Sequence, residues 1–189
     1  MRVWPAGLIG ALWILWILYW CVSARSLKPI RRRQSVGSRA VFVGPMALTA
    51  VLLTAQRWPG WLGERLVPGG WTRYWVGVTL VVAGLLLSVW ARRMLGGNWS
   101  GTVTVKVGHE LIQTGPYRWV RHPIYTGMLL ALLGSALASG RVHGLLAFLI
   151  ASIALWCKAR VEERWMGEEF GERYAEYRRA TWALVPFVL

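Results

Sequence analysis

The 189-residue chain is 56% hydrophobic and 16% charged, with a mean hydropathy of +0.42. That balance excludes an ordinary soluble domain and implies a membrane protein. Lys and Arg outnumber the acids 22 to 8, and every acid is a glutamate, six of them after Val161, so chemistry that needs aspartate is excluded. The basic residues fall between apolar runs rather than along one soluble face, which assigns them to membrane orientation and argues against a nucleic-acid partner.

Five stretches without a charged residue approach the roughly 20 residues needed to cross the hydrocarbon: 3–24, 40–56, 74–91, 123–140 and 142–157. The first reads as a signal anchor rather than a cleaved signal peptide, because it is long and an Arg-rich segment follows it. Only Gly140 and Arg141 separate the last two, which predicts a helical hairpin. The 14 Trp suit helix ends at the lipid headgroups, where an indole keeps its ring dry and its N–H wet. Cys21 and Cys157 show no metal or redox spacing and read as small buried hydrophobes.

Alternate loops hold 17 and 5 of the Lys and Arg residues, so the positive-inside rule puts the N-terminus outside and the C-terminus in the cytoplasm of a cell inner (plasma) membrane. The cytoplasmic segments are then 25–39, 92–121 and 158–189. The first, with Arg31, Arg32 and Arg33 in a row, reads as an orientation signal that also touches anionic lipid. In the second, 102–106 and 110–114 flank Val107, Gly108 and His109 and predict a short β-hairpin, ended by Gly115-Pro116. The fold expected is therefore an all-α integral membrane protein. It has about five transmembrane helices, a helical hairpin at spans four and five, a short cytoplasmic β-hairpin and an amphipathic C-terminal helix. A single domain, 1–189, would divide into the first three spans (1–91) and a half that holds the long loop, the last two spans and the tail (92–189), where functional groups are to be sought.

Two places concentrate polar groups. The run from Gly115 to Gly127 enters the fourth span, where Pro123 suits a first helical turn and His122 its cap, beside free N–H groups and the positive end of the dipole. Tyr125, three residues on, shares the His122 edge. Interface anchoring with an N-capping His also accounts for these residues. In the tail, a continuing helix places Glu163, Met166, Phe170, Tyr174 and Tyr177 on one face, so that a carboxylate heads an apolar stripe. Lys158 and Glu162, four apart, fall on a neighbouring face and can pair. Simple pairing of Glu162 and Glu163 with Lys158 and Arg160 at the headgroups competes with a functional reading, although an ionisable group on a packed face near a membrane is a functional-site hypothesis by default. Carboxylates suit an ammonium or ribose hydroxyls, and aromatic faces suit a flat base or a cation. S-adenosyl-L-methionine offers all of these groups, but the residues alone do not select it. No metal site is read.

The run Arg121-His122-Pro123-Ile124-Tyr125-Thr126-Gly127, then Glu162-Glu163, Phe170-Gly171, Tyr174, Tyr177 and Pro186-Phe187, resembles the isoprenylcysteine carboxyl methyltransferase family, related to the phospholipid N-methyltransferases. The resemblance covers about residues 90–189. It implies a membrane methyltransferase using S-adenosyl-L-methionine, with cofactor contacts at His122, Tyr125, Glu162 and Glu163, and also at Tyr117 and the Gly115-Pro116 turn. It leaves Asn98 and Trp99 as a recurrent bacterial feature without a derived role. Where eukaryotic members carry Arg four residues before the first Glu, this chain has Lys158, with Arg160 nearby, and Lys lacks Arg's planar two-point grip. A carboxylate acceptor would be held by Arg121 or Arg160, whereas an amine would need Glu163 or His122 as base. The acceptor expected is lipophilic and reaches the site from the bilayer, in contact with membrane lipids. A phospholipid amine or small thiol is the same-fold alternative. A non-catalytic membrane subunit or small transporter is the alternative of another class, although transporters place ionisable residues near the midplane.

Overall fold

The computed structural model describes residues 4–24, 30–33, 36–55, 57–99, 104–106, 108 and 110–186. Five long helices follow the five apolar stretches: α1 (Trp4–Ser23), α2 (Val36–Thr54), α3 (Trp71–Leu95), α4 (Pro123–Ser139) and α5 (Val142–Phe170). Segments Trp71–Asn98 and Val142–Phe170 are long and apolar enough to cross a membrane, while Gly7–Ser23, Phe42–Thr54 and Pro123–Ser139 are shorter apolar helices. Ile14, Leu15, Leu18, Leu86, Leu145, Leu149 and Ile153 are exposed, as helices surrounded by lipid require.

The closest helix pair is α3 with α4, and its cause is glycine. A Cβ on Gly84 would lie 2.4 Å from the Gly127 carbonyl oxygen, and one on Gly134 would lie 2.5 Å from that of Gly77. The two antiparallel backbones therefore touch directly, as small residues permit where lipid offers no hydrophobic drive. The first helix attaches through indoles instead: Trp13 Nε1 donates to Ser135 Oγ at 3.1 Å and Trp16 Nε1 to Ser88 Oγ at 2.7 Å. These two Trp sit mid-helix with protein partners, so the headgroup placement expected for the tryptophans does not extend to them. Cys21 and Cys157 are exposed, contrary to the buried reading, because both lie on helix faces turned away from the bundle.

At one end Arg92, 3% exposed, ties α1 to α3. Its guanidinium donates to Ser23 O at 2.6 Å and Gly96 O at 2.8 Å, and Cζ stands 4.6 Å from the Trp99 ring centroid. This juxtaposition explains the sheet. The strand expected at 102–106 is found as β2 (Thr104–Lys106), but it pairs antiparallel with β1 (Ile30–Arg33), with Arg33 opposite Thr104. Residues 110–114 form no strand, so the expected local hairpin is replaced by a pairing with the Arg-rich loop that α1 delivers alongside. Residues 102, 103, 107 and 109 of that expected hairpin lie outside the described residues.

At the other end α4 stops at Gly140 (φ 60) and α5 starts after Arg141. The Gly140 carbonyl accepts from Leu66 N–H at 3.0 Å, and Arg141 donates to Gly63 O at 2.7 Å. The tail helix does not run on from α5 unbroken: Gly171 (φ 54) turns the chain into α6 (Glu172–Ala180), a left-handed conformation that favours glycine.

Candidate active site

The entrance to α4 is built by the turn Gly115–Arg118, with Gly115 at φ 60 and Pro116 after it, followed by His122 at the N-cap and Pro123 at the first helical position. The His122 side chain does not cap the helix. Its ring lies parallel to that of Tyr125, centroids 5.5 Å apart. The backbone donors just ahead of the helix, those of Arg121 and His122, are taken: they donate to Trp182 O at 2.8 Å and Ala183 O at 3.1 Å. Thr126 Oγ1 donates to Leu184 O and Tyr177 OH to Tyr117 O, each at 2.6 Å. The segment after α6 therefore lies along this edge, and burial pushes the Tyr117 and Tyr177 phenols above their usual pKa, keeping them neutral.

The two glutamates on α5 have different partners. Tyr125 OH donates to Glu162 Oε1 at 2.6 Å, and His122 Nδ1 stands 3.5 Å from Glu162 Oε2. Glu163, 7% exposed, accepts from Arg121 Nε at 2.7 Å. The Arg121 guanidinium also donates to the backbone carbonyls of Arg178, at 3.1 Å, and Thr181. His122 Nε2 is within 3.5 Å of Glu163 Oε1 but makes no hydrogen bond. Burial disfavours the His122 imidazolium, and the Glu162 and Glu163 carboxylates more than offset this, so its pKa is raised from 6.5. Stability from this shift is complete below the unfolded value and is lost as pH rises through the folded one. Thermal unfolding should therefore show the wild type losing stability above about pH 6.5 by more than His122→Gln does. Equal slopes in the two proteins would contradict the pairing.

A cavity of about 350 Å³ lies among these groups, lined by Tyr117, Arg121, His122, Tyr125, Lys158, Glu162, Tyr174 and Tyr177. Its size falls at the small end of small-molecule sites. The structure thus brings Tyr117, Arg121, His122, Tyr125 and Glu162 to one space. Glu163 is not on that lining and faces a shallow groove with Arg164 and Arg178 instead. Arg160 is exposed, its Cζ 5.6 Å from the Trp156 ring centroid, and the cation on the lining from this part of α5 is Lys158, whose Nζ lies 5.4 Å from the Tyr125 ring centroid. Of the expected stripe, Glu163, Tyr174 and Tyr177 are buried while Met166 and Phe170 are half-buried. Sequence reasoning assigned no site role to Trp16, Trp20, Asn98 or Glu110, which also line the cavity. The helical spacing of Trp13, Trp16 and Trp20 was the available signal for the first two. Among the described residues no cluster suited to a metal ion occurs.

A sequence profile of phospholipid methyltransferases matches residues 72–173, more than half of the chain. The chain belongs to the phospholipid methyltransferase family. Relatives similar to it include the protein-S-isoprenylcysteine O-methyltransferase of Saccharomyces cerevisiae, 31% identical over 119 residues, which are 60% of this chain and 48% of that one. The cobalt-zinc-cadmium resistance protein CzcN of Cupriavidus metallidurans is 31% identical over 166 residues, 86% of this chain and 68% of that one. The solved structure of the eukaryotic intramembrane Ras methyltransferase ICMT aligns with a TM-score of 0.57 at 20% identity, covering 84% of this chain and 55% of that one. This likeness gives the helical membrane fold. The chain spans about half the length of the yeast relative and of the ICMT chain. The family match takes in α3, α4 and α5 and therefore the His122, Tyr125 and Glu162 constellation, but not α1.

Proposed function

We propose that the chain is a membrane-embedded methyltransferase that takes its methyl group from S-adenosyl-L-methionine and passes it to a lipophilic acceptor such as a prenylcysteine-like carboxylate. The observation that carries this reading is the Glu162 carboxylate, held by Tyr125 and His122 on the wall of a cavity to which the family-matched helices α3, α4 and α5 contribute. The donor set fits the cofactor: a carboxylate for its ammonium or ribose hydroxyls, aromatic rings for its base and sulfonium, and two buried polar atoms, Asn98 Oδ1 and His122 Nε2, without hydrogen-bond partners among the described residues. When bound, the cofactor supplies a methyl group on a positively charged sulfur.

The protein's own part is positioning, which is the main catalytic device when two reactants must meet in line. Glu162 fixes an anionic point and Tyr125 and His122 fix Glu162. Lys158 provides the nearby cation for an acceptor carboxylate, a role the exposed Arg160 fills less well. Arg121 and Glu163 act through each other, holding α6 and the following segment against the cavity. A phospholipid amine or small thiol remains the same-fold alternative for the acceptor. The protein crosses the inner (plasma) membrane five times, with the site on the cytoplasmic face, where the positive-inside rule places Lys158 and the α4 entrance.

Titration of the purified, detergent-solubilised protein with S-adenosylhomocysteine tests this reading. Saturable binding that is weakened in His122→Ala, by less than in Glu162→Ala, supports it. Absence of binding to the wild type removes it and favours a non-catalytic membrane subunit.

A further inference from the structure

Asn98 closes the short turn Gly96–Asn98 after α3, is 8% exposed and belongs to the cavity lining, and its buried Oδ1 has no hydrogen-bond partner among the described residues. An unmatched buried amide oxygen is costly and marks a place where a donor is missing. Its surroundings are flat and aromatic. Trp99 follows it in the chain and meets Trp20 of α1 edge to face, with centroids 6.0 Å apart, and Trp20 in turn stacks on Trp16 at 4.3 Å. Trp16, Trp20 and Trp99 all line the same cavity as Asn98 and Glu162. The cavity therefore offers two kinds of recognition: a carboxylate with a phenol and an imidazole, and an amide with indole faces.

We infer that Asn98 reads the base of the methyl donor, its amide oxygen accepting from the adenine 6-amino group and its amide NH₂ donating to N7, with Trp20 and Trp99 supplying ring contacts. An Asn amide matches this edge of adenine in two hydrogen bonds, a pairing that discriminates strongly against the wrong base. Flat bases also stack favourably on aromatic side chains. The assignment rests on the reading of the cavity as a methyl-donor site, and it gives α1, which lies outside the family match, a direct part in holding the cofactor.

The test is equilibrium binding of two probes to the full chain, S-adenosylhomocysteine and S-inosylhomocysteine, which carries an oxygen in place of the 6-amino group. The wild type should prefer the adenosyl probe at least about tenfold, and Asn98→Ala should weaken that probe about 10- to 100-fold while changing the inosyl probe less than about threefold. Equal affinity of the wild type for the two probes overturns the assignment but leaves the methyl-donor reading standing. Equal weakening of both probes in Asn98→Ala also overturns it, since that outcome marks a structural role. Should Asn98→Ala fail to fold, the wild-type preference and its retention or loss in Asn98→Ser decide the matter. Failure of the wild type to bind either probe sinks the methyl-donor reading itself, and this assignment with it.

Discussion

Replacing Glu162 with alanine is expected to weaken S-adenosylhomocysteine binding about 100-fold, the largest effect of any single side chain on the cavity wall. Three losses add up. The anionic point facing the cavity disappears, the Tyr125 hydroxyl loses the acceptor now 2.6 Å away, and His122 loses the carboxylate 3.5 Å from Nδ1. A hydrogen bond to a charged group contributes about 1.5–3 kcal/mol, and about 1.4 kcal/mol corresponds to a factor of ten. Glu162→Gln keeps an acceptor for Tyr125 and removes only the charge, so it should lose about tenfold. Calorimetry on the three proteins checks the order, and a Gln variant as weak as the Ala variant would show that charge alone matters. Unchanged binding in both would mean the ligand does not meet Glu162.

The second large effect concerns folding rather than ligand. Arg121→Ala leaves Glu163 buried without the guanidinium that neutralises it, and it removes the donor to the carbonyls of Arg178 and Thr181. Breaking a buried pair from one side costs about 3–5 kcal/mol. The expected result is a clear fall in thermal stability together with faster proteolysis within residues 172–186. Removing both partners abolishes the stranded charge, so Arg121→Ala with Glu163→Ala should be more stable than Arg121→Ala alone. That non-additivity is what a double-mutant cycle measures. A double variant that is simply the sum of the two singles would show that the pair does not hold the C-terminal segment.

The helices of this protein were legible because their apolar runs are long and their ends carry charge. The N-terminal edge of α4 was legible to the residue, since Pro123 suits the first helical position, where its missing N–H costs no hydrogen bond. The shared edge of His122 and Tyr125 could be anticipated from spacing along α4, whereas helical spacing put Glu163 on the packed face, and Glu162 joined the grouping only through the family resemblance. What escaped was everything decided by through-space pairing. Nothing local in residues 104–106 reveals that their strand partner is Ile30–Arg33, because β pairing is indifferent to sequence separation. The division of labour between adjacent Glu162 and Glu163 escaped for the same reason: successive helix positions point about 100° apart, so one reaches the cavity while the other meets Arg121. The break at Gly171 had a signal in the glycine itself, but an unbroken stripe of apolar and aromatic residues from Met166 to Tyr177 reads equally well as one helix.

The glycine contacts between α3 and α4 have a consequence for how a ligand gets in. With backbone against backbone at Gly77–Gly134 and Gly84–Gly127, these two helices cannot part at either crossing without losing direct main-chain contact, so they behave as a single welded beam. Passage into the chamber then has to come from the parts fastened by single hydrogen bonds and rings: the indole-mounted α1 on one flank and the arginine-tethered α6 on the other.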